Sequence, residues 1–407
     1  MLDCVSRYKI FKRWLPGGNA SVFNSHMMPL DFPDPGCAPQ LIRRFCAVAG
    51  AIDLLLSVGC LRRHLEKTLD VKLAALKNDP TCRAFILADA KDADMAFGIS
   101  APGKTVDGNL RSLAEYRDQM REIVSQGLVD IMLMSASTSE ILTIHERIFA
   151  ASGVTPAVRA NDATDIHIVR GARYPGVASQ PFATTTIDHI QAGKSPCSDD
   201  ERSLAANLGL YSVTFNNDSE SDLKTLEAYK AFRLEAEAKH FGHFLEVFHP
   251  NVSPAVHGIA PEEIPYFVND HIARLLAGVP SAARPRFLKI PYPGPRALEE
   301  LCGYDSSLVV GVLGGSAGTT HDAFALVHEA KQHGARVALF GRKINAAEHQ
   351  LSFIEYLRQV ADDKLLPAEA VKAYHSALQA MRITPHRGLK EDLELTTTSA
   401  NYRCAQG

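Results

Sequence analysis

The chain has 407 residues, 46% of them hydrophobic and 22% charged, with 43 Lys and Arg against 46 Asp and Glu. A net charge of −3 excludes the basic excess of a general nucleic-acid-tracking surface, and a chain of this length buries a core without disulfide or metal staples. The eight cysteines show no Cys-x-x-Cys pair and no zinc-ligand spacing, so they read as reduced thiols of a cytoplasmic protein. Residues 1–35 are rich in Pro, Gly, Asn and Met without periodicity and read as an irregular extension. Two helical stretches follow, ending near Lys77. The apolar run 45–61 is interrupted by Asp53 and flanked by Arg43, Arg44, Arg62 and Arg63. It sits at the lower length limit for crossing a bilayer, and a mid-span carboxylate is costly there. It therefore reads as a buried helix or a candidate homo-oligomer interface, with no membrane partner.

From residue 78 the pattern changes to short apolar runs alternating with amphipathic segments, the signature of repeated β-α units. Eight runs stand out: 84–89, 129–135, 157–162, 211–217, 243–250, 287–291, 308–315 and 336–341. Between them lie helical spacings such as Ala323, Leu326, Val327 and Ala330. Eight strands favour a closed α/β fold, a (β/α)8 TIM barrel over 78–345, above an open doubly wound sheet. The barrel is preceded by the partly helical extension 1–77 and followed by C-terminal helices and a loose tail, 346–407. The long third connection, 163–210, is expected to place a loop and helix over the mouth.

In a barrel of this kind the functional residues sit where strands end, so inward-facing polar residues in those positions matter most. The sixth run carries Lys289 between Leu288 and Ile290, and period-two alternation turns Lys289 inward. A desolvated lysine has a lowered pKa and can attack a carbonyl to form a Schiff base; a structural ion pair is the alternative reading. The fifth run turns Glu246 inward on the neighbouring strand, as the lysine's partner or its proton shuttle. The seventh run ends in Gly311-Val312-Leu313-Gly314-Gly315-Ser316-Ala317-Gly318 and opens into a helix, and the eighth ends in Gly341-Arg342. Glycine backbone, a helix N-terminus and an arginine fork together fit a phosphate site, with Gly314, Gly315, Ser316, Gly341 and Arg342 as its residues. The glycine spacing does not fit a dinucleotide fingerprint. Asp89 and Lys91, after the first strand, are candidates for substrate hydroxyls or a second phosphate, and Arg170 and Arg173 for further anion contacts. No zinc motif is present among the 16 histidines, and no metal or cofactor is implied.

With these residues in place, the stretch from Ala84 to Arg342 resembles the class I, Schiff-base aldolases of the tagatose-bisphosphate aldolase type, in the deoxyribose-phosphate aldolase superfamily. Leu288-Lys289, Phe244-Leu245-Glu246, Gly341-Arg342 and Ala88-Asp89 carry the resemblance. It implies that Lys289 is the Schiff-base lysine and Glu246 the proton shuttle. It further implies that Gly315, Ser316, Gly341 and Arg342 hold phosphate and that Asp89 contacts a hydroxyl. The sequence departs from that family where 210–217 contains no lysine and where Ala90-Lys91 replaces Gln-Arg, which puts bisphosphate recognition in question. The expected function is reversible cleavage of a phosphorylated ketose in carbohydrate metabolism. The alternatives are a phosphosugar isomerase and a non-catalytic phosphosugar-binding barrel.

Overall fold

A computed structural model of the chain describes residues 66–396, except 80, 106, 203, 316 and 317. The apolar run 45–61, the irregular stretch 1–35, Ser316 and the tail from 397 lie outside the described residues. Eight parallel strands close into a barrel: β1 (Ile86–Ala90), β2 (Ile131–Met134), β3 (Thr155–Arg159), β4 (Leu208–Thr214), β5 (Gly242–Phe248), β6 (Leu288–Ile290), β7 (Val310–Leu313) and β8 (Val337–Phe340). Strands consecutive in sequence pair side by side, and β8 pairs with β1 to complete the ring. Each apolar run read from the sequence overlaps one of these strands, so the fold is the expected (β/α)8 barrel. Strands such as β2 (Ile-Met-Leu-Met) are apolar on both faces because helices cover one side and lumen side chains fill the other.

The main helices are α1 (Thr68–Asn78), α2 (Leu113–Gln126), α3 (Ser219–Ala238), α4 (Ile264–Ala277), α5 (Pro295–Tyr304), α6 (Thr320–Gln332), α7 (Gln350–Ala361) and α8 (Pro367–Ala380). α2 shows why these segments are helical. Ser112 and Glu115 form a reciprocal capping box, worth about 1 kcal/mol, and Gly127 ends the helix in the left-handed conformation at φ 70°. Tyr116, Met120, Ile123 and Val124 repeat on the face it buries. After β8, α7 packs against both α6 and α2 and so occupies the eighth place in the helical ring.

The lower lumen is filled by Ile86, Leu133, Leu210, Phe244, Phe287 and Leu339, and Leu69 of α1 belongs to the same cluster with no exposed surface. α1 therefore plugs the end where the strands begin, and burying Leu69 contributes about 2 kcal/mol. Lys67 fixes this plug by donating to the carbonyls of Phe149, Ser152 and Val154. At the opposite end the β3 connection carries a small antiparallel pair, Asp162–Ala163 with Pro181–Phe182, and a helix, Ile187–Ala192. It reaches the β1 connection where the Ile168 N–H donates to the Ala96 carbonyl at 2.9 Å. Among the described residues no helix is long and apolar enough to cross a membrane.

Candidate active site

Register places the polar layer of the lumen. Glu246 on β5 pairs across to Lys289 on β6 and to Ser212 on β4, while Lys289 pairs to Gly311 on β7. Directly below, Phe244 and Phe287 stack at 4.5 Å and form an apolar floor. The Lys289 ammonium lies 2.5 Å from Glu246 Oε1, and both side chains are almost fully buried. Gly311 has no room for a side chain, since a Cβ there falls 2.6 Å from the Leu288 carbonyl. The lysine is thus held between an acidic neighbour and bare backbone. A buried ammonium needs such a partner, because an isolated buried charge is several kcal/mol unfavourable.

Glu246 is itself fixed from a second side. The Ser212 hydroxyl donates to Oε2 at 2.6 Å, and the Arg159 guanidinium approaches the same oxygen at 3.5 Å. Arg159, inward on β3, also donates to Ser212 Oγ at 2.9 Å and to Asp92 Oδ2 at 2.6 Å. Burial lowers the pKa of the Arg159 guanidinium, but Asp92 and Glu246 more than offset this and hold it above the usual value. The Ser212 backbone is tied to the Asn161 side chain through two hydrogen bonds of 2.7 and 2.9 Å. The outcome is a chain Asp92–Arg159–Ser212–Glu246–Lys289 in which each polar group has a partner. Chemically, such an array keeps one amine and one carboxylate in contact, poised to exchange a proton.

Above this layer, lumen-facing Thr214 donates to Asp165 Oδ2 at 2.6 Å, and Ser179 donates to the other oxygen at 2.9 Å. Burial raises the Asp165 pKa, and these hydroxyl donors partly offset the rise. Across the mouth, Arg342 begins the turn after β8. It is exposed, its guanidinium lies 5.9 Å from the Phe97 ring centre, and no hydrogen bond or ion pair engages it among the described residues. Partial burial lowers its pKa, opposed by the negative charge of Glu246. A cleft of about 220 Å³ opens beside it, lined by Ala93, Phe97, Tyr116, Gly341 and Asn345.

The structure brings Lys289 and Glu246 together as strand alternation predicts and leaves Arg342 at the rim without a hydrogen-bond or ion-pair partner among the described residues. Asp89 and Lys91 are different. On β1 it is Ala88 and Ala90 that pack with the lumen cluster, so Asp89 faces the helices. Lys91 follows the same face, donating to Gln350 of α7 at 2.8 Å and lying over the Tyr116 ring. The two form a 3.5 Å ion pair with no exposed surface and do not reach the mouth, which corrects the expectation that they contact substrate. Burial pushes the Asp89 carboxyl up to about 6 against the pull of Lys91. Asp92, one alternation step beyond Ala90, occupies the lumen position instead.

The glycine loop also departs from expectation in part. Gly314 lies against the Phe340 ring, where a Cβ falls within 2.1 Å, so packing alone requires glycine there. Gly315 adopts φ 60°, and Gly341 lies close under the Ala90 carbonyl. The N-terminus of α6, expected to face phosphate, is already filled. Its Thr319 and Thr320 N–H groups donate to Asp322 and Asp392, each at 2.7 Å. Two carboxylates there leave the helix end no charge to offer an anion. Arg170 and Arg173 stand exposed in the β3 connection. Arg159, Asp92, Ser212 and Asp165 were not singled out from the sequence. Arg159 had a signal, a charge inside an apolar run, of the kind that pointed to Lys289.

The sequence matches no protein-family model and no curated protein. Among solved structures, the fructose-bisphosphate aldolase from Slackia heliotrinireducens DSM 20476 is similar with a TM-score of 0.54 at 12% identity, covering 72% of this chain and 86% of that one. An archaeal fructose 1,6-bisphosphate aldolase gives 0.48 at 16% identity, covering 69% and 94%. A Schiff-base-forming fructose-1,6-bisphosphate aldolase gives 0.49 at 17%, covering 69% and 95%. All three are fructose-bisphosphate rather than tagatose-bisphosphate aldolases. At such identities the likeness to the Slackia protein establishes the barrel fold.

Proposed function

We propose that the chain is a class I aldolase that reversibly cleaves a phosphorylated ketose through an imine on Lys289. The observation that carries this reading is the 2.5 Å contact between a lumen-facing lysine and a glutamate on the adjacent strand. The aldolase description of the Slackia protein, which shares the barrel, supports it. Lys289 passes a proton to Glu246, and the neutral amine attacks the ketose carbonyl. Glu246 returns that proton to the carbinolamine oxygen, which leaves as water. The iminium then takes the electron pair of the bond between the α- and β-carbons as that bond breaks and becomes an enamine, while the Glu246 carboxylate accepts the β-hydroxyl proton and an aldehyde is released. Glu246 passes the proton on to the α-carbon of the enamine left behind, and water hydrolyses the iminium so formed. Arg342 holds the phosphate, with the backbone of Gly315 and Gly341 beside it. Ser212 and Arg159 position Glu246.

The same ion pair also supports a second reading, a phosphosugar isomerase in which Glu246 is the base and Lys289 only stabilises charge. Turnover of a panel of ketose phosphates in the presence of a hydrazine separates the two. Cleavage releases a three-carbon or shorter aldehyde trapped as its hydrazone. Isomerisation accumulates an aldose phosphate of unchanged carbon count and contradicts the proposal.

A further inference from the structure

The reading of a phosphosugar site leaves open how many phosphates the ligand carries. In the ring order β8 and β4 lie four strands apart, on opposite sides of an eight-stranded barrel, and β6 lies two strands from each. Arg342 follows β8, Lys289 stands on β6 and Thr214 ends β4. A ligand with its carbonyl over Lys289 and a phosphate at Arg342 therefore extends its far end toward the β4 wall.

That wall is acidic. Asp165 is bound by Thr214 and Ser179, and Asp162, also buried, accepts from Thr184 Oγ1 at 3.2 Å. Among the described residues neither carboxylate has a salt bridge, and β4 (Leu-Gly-Leu-Tyr-Ser-Val-Thr) contains no lysine or arginine. The remaining cations near the lumen are engaged. Arg159 and Lys289 bind Asp92 and Glu246, and Lys343 donates to the Gly318 carbonyl at 2.7 Å. Arg170 and Arg173 are exposed in the β3 connection, and among the described residues no hydrogen bond or ion pair fixes either one against the β4 wall. Carboxylates repel a phosphate but accept hydrogen bonds from sugar hydroxyls.

We infer that the site takes a ketose carrying one phosphate, held at Arg342, with an uncharged, hydroxyl-bearing far end recognised by Asp165 and Asp162. This inference rests on the proposed phosphosugar reading and names its substrate class. Calorimetric titration of the full-length protein with the 1-phosphates, 6-phosphates and 1,6-bisphosphates of fructose and tagatose tests it. The expected result is that one monophosphate binds at least about 30-fold tighter than the bisphosphate of the same sugar. Asp165→Asn should shrink that ratio to under about 5-fold by strengthening the bisphosphate. Asp162→Asn serves the same purpose should Asp165→Asn not fold. Bisphosphate binding equal to or tighter than monophosphate, a ratio unmoved by both variants, or no sugar phosphate bound at all overturns the inference. Borohydride trapping in parallel keeps the two claims apart. A Lys289 adduct with a preferred bisphosphate retains the aldolase and sinks the monophosphate claim. Tighter monophosphate binding without any adduct does the reverse.

Discussion

At the end of the barrel where the strands begin, Asp130 receives Lys72 at 2.7 Å and Arg358 at 3.2 Å, and both cations also donate to the Phe85 carbonyl at 2.9 Å. At the end where the strands finish, Arg342 has no hydrogen-bonding partner among the described residues, and Asp165 accepts from the Thr214 and Ser179 hydroxyls. The lower cluster ties α1, α7, β1 and the start of β2 into one unit, and its charges face one another. Above the Glu246 layer Arg342 stands exposed on one wall, and on the other Asp165 and Asp162 are buried and hydrogen-bonded without a salt bridge among the described residues. Mutual neutralisation marks the lower end as a stability element, whereas the exposed Arg342 is what the proposed site at the upper end would offer a ligand.

This contrast can be broken from either side. The largest effect belongs to Asp130→Ala, which takes the carboxylate partner from Lys72 and leaves Arg358 only Asp362 and the Phe85 carbonyl. It should destabilise the protein by about 3–5 kcal/mol in urea unfolding, and a loss below about 1 kcal/mol would show that the lower charges are solvated. Arg342→Ala should instead leave stability within about 0.5 kcal/mol. Its cost falls on ligand binding, about 10–100-fold in sugar-phosphate affinity for the loss of a charged hydrogen-bond donor. An unchanged affinity removes Arg342 from the site.

Ser212→Ala sharpens the account of the upper layer. It deletes the donor to Glu246 and the acceptor of Arg159, so kcat should fall about 10-fold, or about 1.4 kcal/mol, with KM little altered. A change confined to KM argues against a positioning role. The smallest effect concerns Asp89. Its folded pKa of about 6 exceeds the ordinary 3.8, so between those values the folded chain keeps a proton that the unfolded chain has released. Stability from this group is thus present at low pH and lost as pH rises from about 4 to 6. The unfolding free energy of wild type minus that of Asp89→Asn should decline across that window. A difference that climbs with pH contradicts the assigned burial.

Much of this was legible beforehand because a barrel strand is short, apolar and bounded by turns, and all eight appear as such runs. Lys289 and Glu246 were readable for the same reason, each a charge interrupting a buried strand. β1 was harder. Apolar Ile86, Leu87, Ala88 and Ala90 are buried or nearly so on both faces, so periodicity cannot say which parity points inward, and a two-residue motif chose Asp89 where the structure has Asp92. Asp165 and Asp392 were beyond reach, since each owes its position to a long connection or to a C-terminal turn folding back on α6. Glycines misled as well. Gly314 and Gly318 resemble an anion loop, yet their tight contacts are with Phe340 and Asp322.

The central claim is that the amine of residue 289 becomes covalently bonded to substrate carbon. Its most direct test is borohydride reduction of the protein with a ketose phosphate, followed by intact-mass measurement and peptide mapping. The account predicts one added sugar-phosphate mass per chain, located on Lys289 and lost in Lys289→Met. Turnover of the same ketose phosphate without any trapped adduct, or an adduct on another lysine, would contradict it.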